Sequence, residues 1–202
     1  MTEPTEAAPG SERNPAEQSV KDYFAREWPR DEEGYYHRQA ARVVAVNARG
    51  EALLLRGHDF SDTDHWWWFT VGGGLEEGES AREGAVREFF EETGYRLDPE
   101  ALIGPVLRRH ATFDFHELTC RQDEEFFFVR LEETPTFNRT HVTAVEQQVL
   151  DELKWWDLGE LETEIERGTV VYPLDFVSLV RQWLTGWDGV TLEISEGTVG
   201  KR

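Results

Sequence analysis

Two short apolar runs, residues 41–46 (ARVVAV) and 52–55 (ALLL), are split by the turn-forming group Asn47-Ala48-Arg49-Gly50 and read as a β-hairpin. The polar stretch 58–65 predicts a loop, and 66–71 a short strand that runs into Gly72-Gly73-Gly74. Residues 103–107, 111–116 and 125–131 predict three more strands, the last rich in phenylalanine, and 154–156 a final short one. Helical spacing occurs in three places. Ala85, Val86, Phe89 and Phe90 share one side of a helix that starts at Ser80-Ala81-Arg82-Glu83, a capping box, and stops at Gly94. Asp157 caps a second helix through Leu161 and Ile165, ended by Gly168. A third begins at Pro173, places Phe176, Leu179, Val180, Trp183 and Leu184 on one face, and ends at Gly186. Strands enclosed by helices predict an α/β fold with the sheet packed between helices.

Composition narrows this to one domain. The chain has 202 residues, 39% hydrophobic, with 8 Trp and 12 Phe, which suffices for a real core. Residues 1–18 hold three prolines, several charges and almost nothing to bury, so they read as a disordered leader. The domain is expected over 19–187, with Tyr23, Phe24 and Trp28 available to dock a short helix on the body, and 188–202 as a weakly patterned tail that frays. The net charge of −20 disfavours gripping long nucleic acid or an anionic membrane, because both depend on clustered Lys and Arg. Cys120 is the single cysteine, which excludes an intrachain disulfide and a multi-cysteine zinc site. With no apolar run near eighteen residues and no hydrophobic stretch behind the amino terminus, a cytoplasmic protein is expected.

The chemistry concentrates on the first helix. At about 100° per residue, Glu88, Glu91, Glu92 and Gly84 fall opposite the apolar side. Each like-charge pair among the glutamates costs about 0.2–0.5 kcal/mol on a bare helix, and Arg87 offsets part of that through Glu91 or Glu83. Two readings fit: an acidic, solvated face, or a site for a hard cation such as Mg²⁺, which takes carboxylates together with waters and phosphate oxygens. Gly84 either leaves room for phosphates or is simply a tolerated glycine.

The full spacing is more specific. Gly73, five residues, Glu79, seven residues, Arg87-Glu88, Phe89, one residue, Glu91-Glu92, one residue, Gly94 and Tyr95 resembles the signature of the Nudix hydrolase family. Phe89 and Tyr95 stand where that family usually has aliphatic residues, and Val71 where a proline often precedes the glycines. The resemblance implies an α/β/α sandwich around a mixed sheet, and cleavage of a pyrophosphate bond in a nucleoside diphosphate derivative with Mg²⁺ or Mn²⁺. It also implies roles. Glu91 and Glu92 would ligate metal, Glu88 would be ligand or base, and Arg87 would hold Glu88 or Glu91. Glu79 would support the loop or add a ligand, and Gly73 would offer its carbonyl. A further glutamate near the metals is expected at Glu146, or else Glu152. Arg38, Arg42, Arg56 and Arg121 are candidates for phosphates or plain surface charges, and Trp66 or Phe127 for stacking on a base. Trp67, Trp155 and Trp156 are expected in the core, and His110 and His116 at the mouth or as structural residues. The substrate would be a small nucleotide: a nucleotide sugar or ADP-ribose, a dinucleotide, or an ordinary or oxidised nucleoside triphosphate. A homodimer is among the expectations the family brings. The alternative function is a catalytically silent nucleotide-sensing module of the same fold.

Overall fold

A computed structural model of the chain describes residues 28–59, 62–115, 118–137 and 150–197. Its strands are β1 (Tyr36–Val46), β2 (Ala52–Asp59), β3 (Asp62–Phe69), β4 (Val71–Gly74), β5 (Ile103–Phe115), β6 (Leu118–Arg130), β7 (Leu150–Trp156), β8 (Val171–Tyr172) and β9 (Leu192–Gly197). Its helices are α1 (Ala81–Thr93), α2 (Leu158–Glu166) and α3 (Phe176–Thr185). The described strands form one mixed sheet in the order β8-β3-β2-β1-β6-β5-β9, with β4 also on β1 and β7 also on β2. The β1–β6 pairing is parallel, and β4 runs antiparallel to β1 with Gly73 opposite Ala41.

Both faces of the sheet are covered, which is why the ends of β1 (43–46) and β6 (126–129) read as continuous apolar runs rather than alternating ones. From β6, Phe127 and Val129 join Ala41, Val43 and Ala45 of β1 beneath α1, where Ala85 and Phe89 complete the cluster. Phe126 and Phe128 point the other way, with Val44, Val46, Leu54 and Trp68, onto Leu161 of α2 and Phe176, Val180 and Trp183 of α3. Each fully buried phenylalanine contributes about 1.5–3 kcal/mol. The layers are therefore helix, mixed sheet, helices, as the α/β/α expectation required.

Three local expectations are corrected. The polar stretch 58–65 is not a long loop, because β2 continues to Asp59 and β3 resumes at Asp62. A hairpin partner satisfies backbone groups whatever the side chains, so polar sequence can extend as strand. Residues 103–115 form one strand, not two. The tail expected to fray carries β9, which pairs in parallel with β5 and sends Leu192 and Ile194 to the core. Trp28 is buried with Cys120, but residues 28–35 form no helix, and Tyr23 and Phe24 of the expected docking helix lie outside the described residues. Among the described residues no helix is long and apolar enough to cross a membrane.

Candidate metal centre

Backbone geometry places the acidic groups. Ser80 caps α1: its hydroxyl accepts from the Glu83 amide, and the Glu83 carboxylate accepts from the Ser80 amide. At the other end Gly94, at φ 73°, closes the helix in the left-handed region that glycine tolerates. One turn inside, the Glu88 carboxylate lies directly against Gly73; a Cβ there would fall 2.5 Å from Glu88 Oε2. Gly73 is therefore glycine because Glu88 occupies its side-chain space.

The glutamate face is not an outer face. Glu88 and Glu92 are buried, together with Gly84, against β4 and β1, while Val86 and Phe90 are only partly covered. The reading of an acidic, solvated face is corrected for both; Glu91 alone keeps a side chain 43% exposed. Gly84 leaves no room for phosphates either. A Cβ there would run into Leu75 and come within 3.0 Å of Glu79 Oε2, so the glycine permits close packing of the loop on the helix.

Arg87 ties the acidic groups together. Its Nε and Nη2 donate to the two Glu79 oxygens at 2.9 and 2.8 Å, a bidentate fork. Nη1 donates to Glu88 Oε1 at 2.8 Å and to Glu91 Oε2 at 3.2 Å, and Nη2 also reaches the Gly74 carbonyl at 2.9 Å. Glu83, considered above as a partner for Arg87, is taken by Ser80 instead. The Arg87 hydrogen bonds hold Glu79 below the usual carboxylate range. Burial pushes Glu88 above that range, a push that Arg87 only partly offsets and that Glu91 reinforces. Glu92 accepts from the Gly72 amide at 2.8 Å.

On the far side of β4 the same residue is held again. Arg42 Nη1 donates to the Gly72 carbonyl at 2.5 Å and to the Thr70 carbonyl at 3.2 Å. Its Nε donates to Glu124, a fully enclosed carboxylate that also accepts from Arg109 at 2.6 Å and from Gln122. Arg109 continues to Glu196 of β9 at 2.7 Å. Burial alone would push Glu124 up, but Arg42 and Arg109 bring it below the ordinary range. Arg42, a phosphate candidate from sequence, is thus a buried brace of the glycine loop. The sequence signals for this network are a cation inside the apolar run 41–46 and an acid just ahead of the phenylalanines, since buried charges require partners.

The other candidates scatter. Arg121 pairs with Asp31 and Glu33. Arg56 lies within 3.4 Å of Asp151 and 3.6 Å of Glu152, so Glu152 faces an arginine on β2. Phe127 is core beneath α1 and cannot stack on a base, whereas Trp66 is exposed. Trp156 is core and Trp155 partly so, but the tryptophan of β3 that enters the core is Trp68, not Trp67. His110 bridges Asp123 and Glu193 on the surface. Glu146 and His116 lie outside the described residues.

The donors suit a hard divalent cation. They are carboxylate and carbonyl oxygens without sulfur or imidazole; Glu79, Glu88 and Glu91 share one guanidinium, and Glu92 lies one turn along on the Gly72 amide. Among the described residues no three His, Cys, Asp or Glu side chains already converge as a cage, because Arg87 and the Gly72 amide hold the oxygens.

The chain is similar to several known proteins. A "Putative 8-oxo-dGTP diphosphatase" of Bacillus subtilis (strain 168) is 40% identical over 70 residues, 35% of this chain and 44% of that protein. The match thus spans less than half of that relative's length. Two solved structures share the fold: a mutator MutT protein from Bacillus halodurans (17% identity, 79% of this chain and 90% of that one, TM-score 0.52) and a NUDIX hydrolase from Nitrosomonas europaea (19%, 74% and 90%, TM-score 0.50). The family model described as "NUDIX domain" matches residues 36–173, well over half of the chain, and the chain belongs to that family.

Proposed function

We propose that the chain is a divalent-metal-dependent pyrophosphohydrolase acting on a nucleoside diphosphate derivative. The observation that supports this best is the excess of carboxylates around Gly73: Glu79, Glu88 and Glu91 converge on the single guanidinium of Arg87, with Glu92 one turn along. Glu91, Glu92 and Glu88 would hold Mg²⁺ or Mn²⁺, with the Gly73 carbonyl and Glu79 as further oxygen donors and Glu146 as an additional acid. A bound cation supplies acidified water and neutralises charge on phosphate oxygens.

The chain's own groups then divide the work. Arg87 engages Oε1 of Glu88, which leaves Oε2 beside Gly73 to take a proton from attacking water. Burial of Glu88 makes it a stronger proton acceptor than an exposed carboxylate, which suits a base. Arg87 and Glu79 fix that carboxylate, and Arg42 with Glu92 fix the glycine backbone it leans on.

Substrates in view are nucleotide sugars and ADP-ribose, dinucleotides, and ordinary or oxidised nucleoside triphosphates; the Bacillus relative's name favours testing 8-oxo-dGTP first. Incubation of purified protein with this panel in Mg²⁺ should release a nucleoside monophosphate or phosphate, detected by chromatography. No release from any of them would favour the silent sensing module instead.

A further inference from the structure

Arg38 has contacts on three sides and two donors left over. Its Nε donates to Gln122 Oε1 at 2.8 Å, and its guanidinium lies over the Trp28 ring, 4.0 Å from the centroid. Both supports are buried, Trp28 at 4% exposure and Gln122 at 3%. The third side is Gly74, where a Cβ would sit 3.1 Å from Arg38 Nη1 and 3.4 Å from its Cδ. Among the described residues Nη1 and Nη2 make no hydrogen bond or ion pair, in a chain carrying 41 acidic residues. Arg82, by contrast, spends its Nη groups on the carbonyls of Pro99, Leu102 and Gly104.

Its location gives those donors a purpose. Gly74 receives Arg87 at its carbonyl, and its neighbour Gly73 carries Glu88. Arg38 packs against Gly74 and Glu88 against Gly73, adjacent residues of β4, so Arg38 borders the acidic centre across that strand. A carboxylate-rich site repels a phosphate chain, and a pre-oriented guanidinium fork at its border matches phosphate geometry.

We propose that Arg38 is the anion-binding residue of this site, its Nη1 and Nη2 taking non-bridging oxygens of the substrate's phosphate groups on the side of β4 away from α1. This assignment rests on the pyrophosphate reading above. Trp28, Gln122 and Gly74 fix the fork before substrate arrives, which lowers the ordering cost of binding.

The test compares wild type, R38Q and R38K in Mg²⁺ by three readouts. These are calorimetric titration with methylenediphosphonate, a non-cleavable pyrophosphate; steady-state kinetics on the best substrate of the panel; and thermal melting. R38Q should weaken methylenediphosphonate and raise KM by about tenfold or more, with a much smaller change in kcat. R38K should recover part of this, since it keeps the charge and loses the fork. Unchanged affinity in R38Q overturns the assignment, including the case where its melting temperature falls, which would make Arg38 only an anchor for Trp28. If R38Q does not fold, R38K decides: affinity weakened by about threefold or more supports the fork, and wild-type affinity overturns it. The two readings fail separately. Wild-type turnover with R38Q unaltered sinks only the Arg38 assignment, whereas diphosphonate binding that depends on Arg38 without turnover of any substrate sinks only the hydrolase.

Discussion

Around Arg87 the carboxylates of Glu79, Glu88 and Glu91 outnumber the guanidinium, whereas behind β4 Arg42 and Arg109 meet Glu124 and Glu196 one for one. The two clusters use the same residue types and the same hydrogen bonds, and both hold the glycine loop. They differ in balance and exposure. The balanced cluster is sealed under the sheet and satisfies itself, which is what a buried ionic network must do to persist. The unbalanced one lies at the margin, with Glu91 partly in solvent, and keeps a net negative charge that a cation can relieve. Charge surplus, rather than the presence of acids, distinguishes a prospective site from a brace.

The largest effect should come from breaking the brace. Glu124→Ala leaves Arg42 and Arg109 buried around a missing anion and should cost about 3–5 kcal/mol in urea unfolding. The wild-type contribution has a defined pH window: because the folded pKa of Glu124 is depressed, it is present above the ordinary carboxylate value and lost as pH falls through the depressed one. Glu91→Gln attacks the surplus instead. Activity on the panel should fall by about 10²-fold or more, with the melt by circular dichroism little changed. A collapsed melt in that variant would make the margin a second brace. Mg²⁺ at about a hundred times its Kd should stabilise wild type by about 2.7 kcal/mol, and Glu91→Gln by clearly less; equal stabilisation would place the cation elsewhere.

Arg87→Lys sharpens the comparison further. A lysine cannot reproduce the fork on Glu79, and activity should drop about tenfold while folding is retained. The smallest effect belongs to His110, whose pKa is raised by the Asp123 and Glu193 hydrogen bonds. It contributes stability below its reference value of 6.5, lost as pH rises through the folded value, and a largely exposed pair makes this slight. His110→Gln should flatten that slope in melts run from pH 5 to 9.

The sequence disclosed one of these clusters and hid the other. The spacing from Gly73 to Tyr95 displays Glu79, Arg87, Glu88, Glu91 and Glu92 within 23 residues, because one loop and one helix carry them. Arg42, Glu124, Arg109 and Glu196 come from four strands, and their meeting depends on register that no local pattern specifies. The same reason explains β9, whose pairing with β5 is long-range, and the polar β2–β3 hairpin. Burial of Glu88 and Glu92 was missed because a helical wheel shows which residues share a side, not how closely a glycine strand approaches it.

The double hold on Gly72 also sets a clock. Its amide is bonded to Glu92 and its carbonyl to Arg42, from opposite faces of the sheet. Local fraying would have to break a buried hydrogen bond to a side chain on each side, so this amide should exchange its hydrogen for deuterium only when the whole domain opens. Gly72 would then report global unfolding from a position within two residues of the chemistry, and the loop would lose its shape only when the domain does.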